Sequence, residues 1–127
     1  MQRVLIVDDE ETIAFAAARY LTTRGFEVEM ATSEGDAERL LSSRDYDALV
    51  VDLRLGSEGD EGFRLIELAR RLMPSIAVVL ITAYGAPAVE ARARELAVDS
   101  LIKKPATLAH LAEVLTASTV GEPRDGA

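Results

Sequence analysis

The chain has 127 residues and no cysteine, and its 22 acidic against 14 basic side chains give a formal net charge of −8. This length fits one domain, and the acidity argues against a nucleic-acid or anionic-membrane surface, since both call for a basic face. The lack of cysteine excludes disulfides, thiol catalysis and cysteine-based metal sites within the chain, and the single histidine, His110, excludes a site built from several imidazoles.

Two kinds of segment alternate along the chain. Short apolar runs rich in β-branched residues predict strands at 4–7, 26–30, 48–51, 76–81 and 100–102. The longer segments between them predict helices at about 10–24, from Ser33 onward, and at about 61–73, 88–97 and 107–117. The runs at 4–7, 48–51 and 76–81 do not alternate with polar residues, which is typical of parallel strands that helices cover on both faces.

Helix ends carry signals of their own. Gly25 follows the first helix, where a left-handed residue commonly ends a helix. Ser33 precedes the second helix with an acid, Asp36, three residues later, a pattern typical of an N-cap. Pro74 stops the third helix.

The spacing of apolar residues in the first helix predicts a buried stripe through Ile13, Ala17 and Leu21. Ala14 and Phe15 would then lie on the outer face of the helix. An exposed Phe15 would suit docking against a partner helix. A shift of the helical phase by one residue would instead bury Phe15, and the pattern leaves both readings open.

The repeated βα units predict an α/β fold. We expect a doubly wound (βα)5 three-layer sandwich with a flavodoxin-like five-stranded parallel sheet of order 2-1-3-4-5. Residues 1–118 would form this domain, and residues 119–127, which lack apolar periodicity, would be a disordered tail or a truncated linker. The absence of a signal-peptide pattern or a long apolar run predicts a cytoplasmic location.

Polar side chains follow the strands at the edge where such sheets bind ligands. Asp8 and Asp9 follow the first strand, Asp52 the third, Thr82 the fourth and Lys104 the fifth. Two carboxylates about 4 Å apart repel by roughly 4 kcal/mol at an effective dielectric of about 20, so three together favour a divalent cation. Mg²⁺ prefers such oxygen ligands. For Asp8 or Asp9 taken alone, a helix cap is the alternative.

This set of residues resembles the receiver domain of two-component response regulators. The matching segments are residues 4–10, 50–53 and 81–83 together with Lys104-Pro105, and the resemblance covers about residues 2–118. It implies a phosphorelay in which Asp52 takes a phosphoryl group from a phosphohistidine of a sensor histidine kinase or histidine phosphotransfer protein. The domain would then switch its contact with a downstream protein effector. It would catalyse only its own phosphorylation and slow dephosphorylation, and so would not be an enzyme in the usual sense.

The resemblance also implies a metal site. Mg²⁺ would be ligated by Asp9, Asp52 and the backbone carbonyl of Arg54, and Asp8 would act mostly through a bound water. Carboxylate and carbonyl oxygens are the ligands that this cation prefers.

Two further residues would handle the phosphoryl group. Lys104 would pair with one phosphoryl oxygen, and the Thr82 hydroxyl would hydrogen-bond another after phosphorylation. The resemblance implies in addition that the Lys104–Pro105 peptide bond is cis.

Two features depart from the family pattern. The loop at 53–62 is longer than usual and has Gly56 in place of a proline, and its three glycines and three acids between Gly56 and Gly62 predict a mobile segment. Leu101 occupies the position of the family's aromatic switch residue. One hypothesis is that packing of Leu101 or Tyr84 replaces part of that switch, and the alternative is that Leu101 is an ordinary core residue of the strand.

Two other functions stay open as alternatives. A degenerate receiver would bind partners without phosphorylation, although the complete set of Asp, Thr and Lys argues against it. A Mg²⁺-dependent phosphohydrolase would also form an aspartyl phosphate, but such enzymes place Asp-x-Asp and the nucleophile after the first strand, where this chain has adjacent Asp8 and Asp9. We expect neither nucleic acid nor a membrane as a partner of this domain.

Overall fold

The computed structural model describes residues 1–56, 59–83 and 85–119. Within these residues, five strands alternate with five helices along the chain. The strands are β1 (Arg3–Val7), β2 (Glu27–Ala31), β3 (Ala48–Asp52), β4 (Ala77–Thr82) and β5 (Ser100–Lys103). The helices are α1 (Glu11–Thr23), α2 (Glu34–Ser43), α3 (Glu61–Leu72), α4 (Pro87–Glu95) and α5 (Leu108–Ser118).

The strands form one parallel sheet in the order β2-β1-β3-β4-β5, as the sequence predicts. β1 pairs with both β2 and β3, so the chain reverses its direction of progress across the sheet at β1. This is the topological switch point, beside which doubly wound sheets bind ligands.

Two apolar layers lie on opposite faces of the sheet. Alternate residues of β1 and β3 enter each layer, because side chains alternate across a strand. Leu5 and Leu49 pack on the side covered by α2, α3 and α4. Val4 and Val50 pack on the side covered by α1 and α5. The continuous apolar strands are therefore buried on both faces, as the sequence predicts.

The helix-end signals are confirmed. The Ser33 hydroxyl accepts a hydrogen bond from the Asp36 N–H at 3.1 Å, as the sequence predicts. The structure adds a cap that the sequence analysis does not single out, in which the Thr107 hydroxyl accepts a hydrogen bond from the His110 N–H at 3.0 Å. Gly25 follows α1 with a φ of +96°, in the left-handed region that favours glycine. α3 ends at Leu72, before the proline.

The predicted buried stripe of α1 is confirmed at Ala17 and Leu21 and is wrong at Ile13. Ala14 is fully buried, whereas Ile13 is 45% exposed and lies at the outer edge of the groove between α1 and α5. The buried side chains are Ala14, Ala17 and Leu21, because small alanines let the helix approach the sheet closely. Phe15 is 52% exposed, with the Arg19 guanidinium 5.9 Å from its ring centroid. The exposed phenylalanine is thus confirmed, and its predicted neighbour Ala14 is not on the surface.

Some predictions fall on residues that the structure does not describe. Tyr84 lies outside the described residues, as do residues 120–127 of the predicted tail. Among the described residues, no helix has the length and apolar character needed to cross a membrane.

Candidate functional site

The site lies at the carboxyl edge of the sheet, because parallel strands present all their carboxyl ends on one side. Asp8 follows the last residue of β1, and Asp52 and Thr82 are the last residues of β3 and β4. β5 ends one residue before Lys104. The register pairs Asp52 with Ile81, and Thr82 with the last residue of β5, so the four strand ends are level with one another.

Three carboxylates meet at this edge. One oxygen each of Asp8, Asp9 and Asp52 lies within 4.8 Å of the other two. Asp8 and Asp52 are buried, and Asp9 is exposed. Burial raises the pKa of Asp8, and the charge of Asp52 raises it further. The Glu10 N–H donates a hydrogen bond to Asp8 Oδ1 at 2.9 Å, which lowers this pKa in part. The cluster therefore concentrates negative charge where water screens it poorly.

Lys104 supplies the positive charge of the site. Its Nζ donates to Asp52 Oδ2 at 2.5 Å, and its main-chain N–H donates to the Thr82 carbonyl at 2.8 Å. Burial alone would lower the pKa of Lys104, but the hydrogen bond and the charge of Asp52 raise it above its usual range. The ammonium group therefore remains charged beside the Asp52 carboxylate. The Lys104–Pro105 peptide bond is cis, as the resemblance implies.

The loop after β3 is tied to the beginning of α3. The Leu53 carbonyl accepts a hydrogen bond from the Gly62 N–H at 2.8 Å. A Cβ atom on Gly62 would lie 2.7 Å from both the Asp52 carbonyl oxygen and Leu53 Cα, so only glycine allows this backbone-to-backbone approach. Asp52 Oδ1 accepts a hydrogen bond from the Arg54 N–H at 3.2 Å. The position of Asp52 therefore depends on α3 as well as on β3.

Two cavities adjoin the carboxylates. A cavity of about 360 Å³ is lined by most of the predicted site residues, namely Asp9, Asp52, Arg54, Thr82 and Lys104. A second, mainly apolar cavity of about 540 Å³ lies between α1 and α5 and shares Asp52 and Lys104 with the first. The first cavity brings together oxygen donors, a hydroxyl and an ammonium group, which suits a cation together with a tetrahedral anion.

The structure brings together every residue that the sequence predicts for the site. Asp8, Asp9, Asp52 and Lys104 are in direct proximity, and Arg54 and Thr82 line the same cavity. Thr82 is buried at the end of β4. Their chemical roles stay predictions, since the geometry alone assigns none of them.

Sequence reasoning missed Glu61, the first residue of α3. The residue is 4% exposed, and its carboxylate accepts hydrogen bonds from the main-chain N–H groups of Leu55 and Gly59. The sequence groups Glu61 with the acids of a mobile loop, yet Leu55 of that loop is also buried. The available signal was its place at the start of a helix, where an acidic side chain meets free N–H groups.

Leu101 lies in β5, is partly buried and packs against the apolar layer under α2, α3 and α4. This placement favours the alternative that Leu101 is an ordinary core residue of the strand. The hypothesis that Tyr84 contributes to a switch falls on a residue outside the described part of the chain.

Comparison with known proteins gives a consistent result. A model of the response regulator receiver domain matches residues 4–116. The photosynthetic apparatus regulatory protein RegA of Rhodovulum sulfidophilum is 36% identical over 103 residues, which are 81% of this chain and 55% of that protein. The chain thus spans about half the length of this relative.

Solved structures show the same similarity. A CheY-like receiver domain protein of Methanospirillum hungatei superposes with a TM-score of 0.87 at 25% identity, and the match covers 94% of both chains. A response regulator of Burkholderia pseudomallei with a phosphorylated aspartic acid, a calcium ion and citrate gives a TM-score of 0.82 at 28% identity, covering 94% of this chain and 68% of that one.

Proposed function

This chain belongs to the response regulator receiver domain family, a family of two-component signalling modules, and from that premise we propose that Asp52 is its phosphoacceptor. The phosphoryl donor would be a phosphohistidine of a sensor histidine kinase or of a histidine phosphotransfer protein. The observation that carries this proposal is the Asp52 carboxylate, buried at the end of β3 between the Lys104 ammonium and the carboxylates of Asp8 and Asp9.

The residues at the strand ends fit a bound Mg²⁺. Asp9, Asp52 and the backbone carbonyl of Arg54 would ligate the ion, and Asp8 would hold one of its waters. All of these donors are hard oxygens, the ligand type that Mg²⁺ favours over nitrogen or sulfur. When bound, the ion supplies positive charge beside the phosphoryl oxygens.

In the proposed reaction one Asp52 oxygen attacks the phosphorus atom in line with the leaving imidazole. An O–P bond forms as the P–N bond breaks, and the imidazole nitrogen takes up a proton when it leaves. A carboxylate is a weak nucleophile, but a loose transition state depends on positioning and charge compensation more than on nucleophilic strength. Lys104 would supply that compensation at one equatorial oxygen, since its ammonium group already lies beside Asp52.

Phosphorylation would then change a protein-binding surface. The phosphoryl group adds about −1.5 to −2 charge at the end of β3. The hydroxyl of Thr82, at the end of the neighbouring strand, would donate to a phosphoryl oxygen and draw the chain after β4 inward. A downstream protein effector would read the altered surface. Hydrolysis of the acyl phosphate by water restores the Asp52 carboxylate and ends the signal.

The structure also suggests where partners meet the domain. Phe15 is exposed on α1, which begins beside the carboxylate cluster, so a helix of the phosphodonor protein would contact it while its histidine reaches Asp52. We further propose that the receiver domain comprises residues 1–118.

The test is phosphorylation of the whole chain by acetyl phosphate in Mg²⁺, followed by intact-mass spectrometry. We expect one phosphoryl group on the unaltered chain and none on Asp52→Asn. Asp45→Asn serves as the matched control, because Asp45 is exposed and precedes the first residue of β3, whereas Asp52 is its last. No modification, and no response to beryllofluoride, would indicate a degenerate receiver instead. Rapid turnover of many phosphate esters would indicate a phosphohydrolase.

A further inference from the structure

A buried carboxylate holds the loop that follows Asp52. Glu61 Oε1 accepts hydrogen bonds from the N–H of Gly59 at 3.0 Å and from the N–H of Leu55 at 3.3 Å. Its Oε2 lies against Gly56, 2.8 Å from where a Cβ atom of that residue would be. One side chain thus binds two points of the loop and lies close to a third, while it is itself almost completely buried.

One of these hydrogen bonds fixes the peptide unit between Arg54 and Leu55. The peptide is planar and trans, so its N–H and its C=O point in opposite directions. With the Leu55 N–H held toward Glu61, the Arg54 carbonyl is directed away from Glu61. The preceding peptide is held from the other side, because the Arg54 N–H donates to Asp52 Oδ1 at 3.2 Å. The orientation of the Arg54 carbonyl is therefore set by two carboxylates, Asp52 before it and Glu61 after it.

We propose that Glu61 is a positioning residue for Mg²⁺ binding, which it serves by orienting the Arg54 carbonyl toward the cation. The inference rests on the proposed function, in which that carbonyl is a metal ligand. It also accounts for a long, glycine-containing loop beside a site that requires precise oxygen positions. Groups that orient a metal ligand change metal affinity by about 10- to 100-fold when they are removed.

A different explanation would give Glu61 the same location. An acid at the start of a helix interacts with the helix dipole, and a nearby negative charge attracts a cation from any position. Both of these effects require only charge. Orientation of the Arg54 peptide requires a hydrogen-bond acceptor at the right distance and does not require charge.

Two substitutions separate these effects. Glu61→Gln keeps the reach and one acceptor oxygen but removes the charge, whereas Glu61→Asp keeps the charge but withdraws the oxygens by one methylene. We expect the Mg²⁺ dissociation constant, measured by calorimetric titration of the unphosphorylated chain, to rise about 10-fold in Glu61→Asp and to stay within about threefold in Glu61→Gln. Amide hydrogen exchange at Leu55 should accelerate in the Asp variant and stay unchanged in the Gln variant.

The controls keep the result specific to this position. Glu113→Ala removes an exposed glutamate of α5 and should leave the Mg²⁺ affinity unchanged. Glu61→Ala should bind Mg²⁺ as weakly as Glu61→Asp does. If the Ala variant does not fold, comparing the Mg²⁺ affinities of the Asp and Gln variants still tests the inference. Equal affinities in all variants, or weaker binding in Gln than in Asp, would overturn the inference. Acetyl phosphate labelling of the unaltered chain tests the proposed function separately, because the Mg²⁺ titrations involve no phosphoryl transfer.

Discussion

Gly62 is the position where one added methyl group should damage both stability and signalling. A Cβ atom there would lie 2.7 Å from the Asp52 carbonyl oxygen and from Leu53 Cα, and 3.0 Å from the Leu53 carbonyl oxygen. These are backbone atoms, so no rotation of a side chain can relieve the contact. In Gly62→Ala either α3 or the end of β3 must move.

The magnitude follows from two opposing terms. Overpacking at a rigid site costs about 1–3 kcal/mol, and replacing glycine by alanine in a helix returns up to about 1 kcal/mol. We expect a net loss of about 1–2 kcal/mol, which lowers the urea midpoint by roughly 0.5–1 M for a domain of this size. Far-UV circular dichroism measures this, since the chain has no tryptophan. Acetyl phosphate labelling should slow by at least about 10-fold, because a misplacement of about 1 Å at a reacting group costs up to about 100-fold.

Gly35 provides a matched control. It is likewise the second residue of a helix and likewise follows a glutamate, but no atom lies within 4 Å of where its Cβ would be. Gly35→Ala should therefore stabilise the domain by about 0.4–1 kcal/mol and leave labelling unchanged. If Gly62→Ala proves as stable as Gly35→Ala and is labelled at the normal rate, the close approach of α3 to β3 is not a constraint and the reasoning fails.

Three further predictions concern charged side chains. Lys104→Met should slow acetyl phosphate labelling by about 10²–10³-fold, while the Mg²⁺ affinity stays the same or increases. A normal labelling rate would contradict the proposed role of the ammonium group. The paired hydrogen bonds from Arg64 lower the pKa of Glu34, so this carboxylate stabilises the fold above its ordinary pKa of 4.5, and that contribution is lost as the pH falls below it. Glu34→Gln should thus cost about 0.5 kcal/mol at pH 7 and progressively less as the pH falls below 4.5, as a series of urea midpoints across this pH range would show. Arg70→Ala should lower the free energy of unfolding by about 1–3 kcal/mol in the same assay, because the Arg70 guanidinium donates to several main-chain carbonyls. As a control, Arg71→Ala at an exposed position should change it by less than about 0.5 kcal/mol.

The topology follows from the sequence because it depends on coarse, redundant signals. The apolar runs of β1, β3 and β4 are continuous, and Gly25 and Pro74 stand just after the ends of the first and third helices. Only a parallel sheet with helices on both faces buries such strands fully. Right-handed crossovers then leave few topologies to choose between.

The first buried position of α1 does not follow from the sequence, because that helix is apolar on more than one face. Ile13 and Ala14 are adjacent, and either can begin a stripe with later apolar residues. The structure buries Ala14, because its small side chain lets the helix lie close to the sheet. This close packing gains more contact than burying Ile13 would with the helix farther from the sheet. Hydrophobicity scales rank isoleucine above alanine, so a prediction from hydrophobicity alone favours burial of Ile13.

The strand-end residues of the site were predictable, whereas the support of Asp52 from α3 was not. Asp52 and Lys104 are placed by strand ends, and the position of a strand end can be read from local composition. Glu61 and Gly62 act through contacts with a loop whose path depends on the packing of α3. A glutamate followed by a glycine has no distinctive meaning in sequence, and its burial appears only once the helix lies against the end of β3.

The charge balance of the site gives a physical reason for the proposed response of Thr82 to phosphorylation of Asp52. Three carboxylates and one ammonium sum to −2, which a divalent cation neutralises. Converting Asp52 to an acyl phosphate replaces one negative charge with about −1.5 to −2, so the occupied site regains an excess of negative charge. Lys104 already lies beside Asp52, and the further compensation that the resemblance implies is the hydroxyl of Thr82. That side chain is buried at the end of β4, so bringing its hydroxyl to a phosphoryl oxygen moves the chain that leads into α4. α4 can follow this movement, because Ala93 is the one buried residue among its nine, all of which the structure describes.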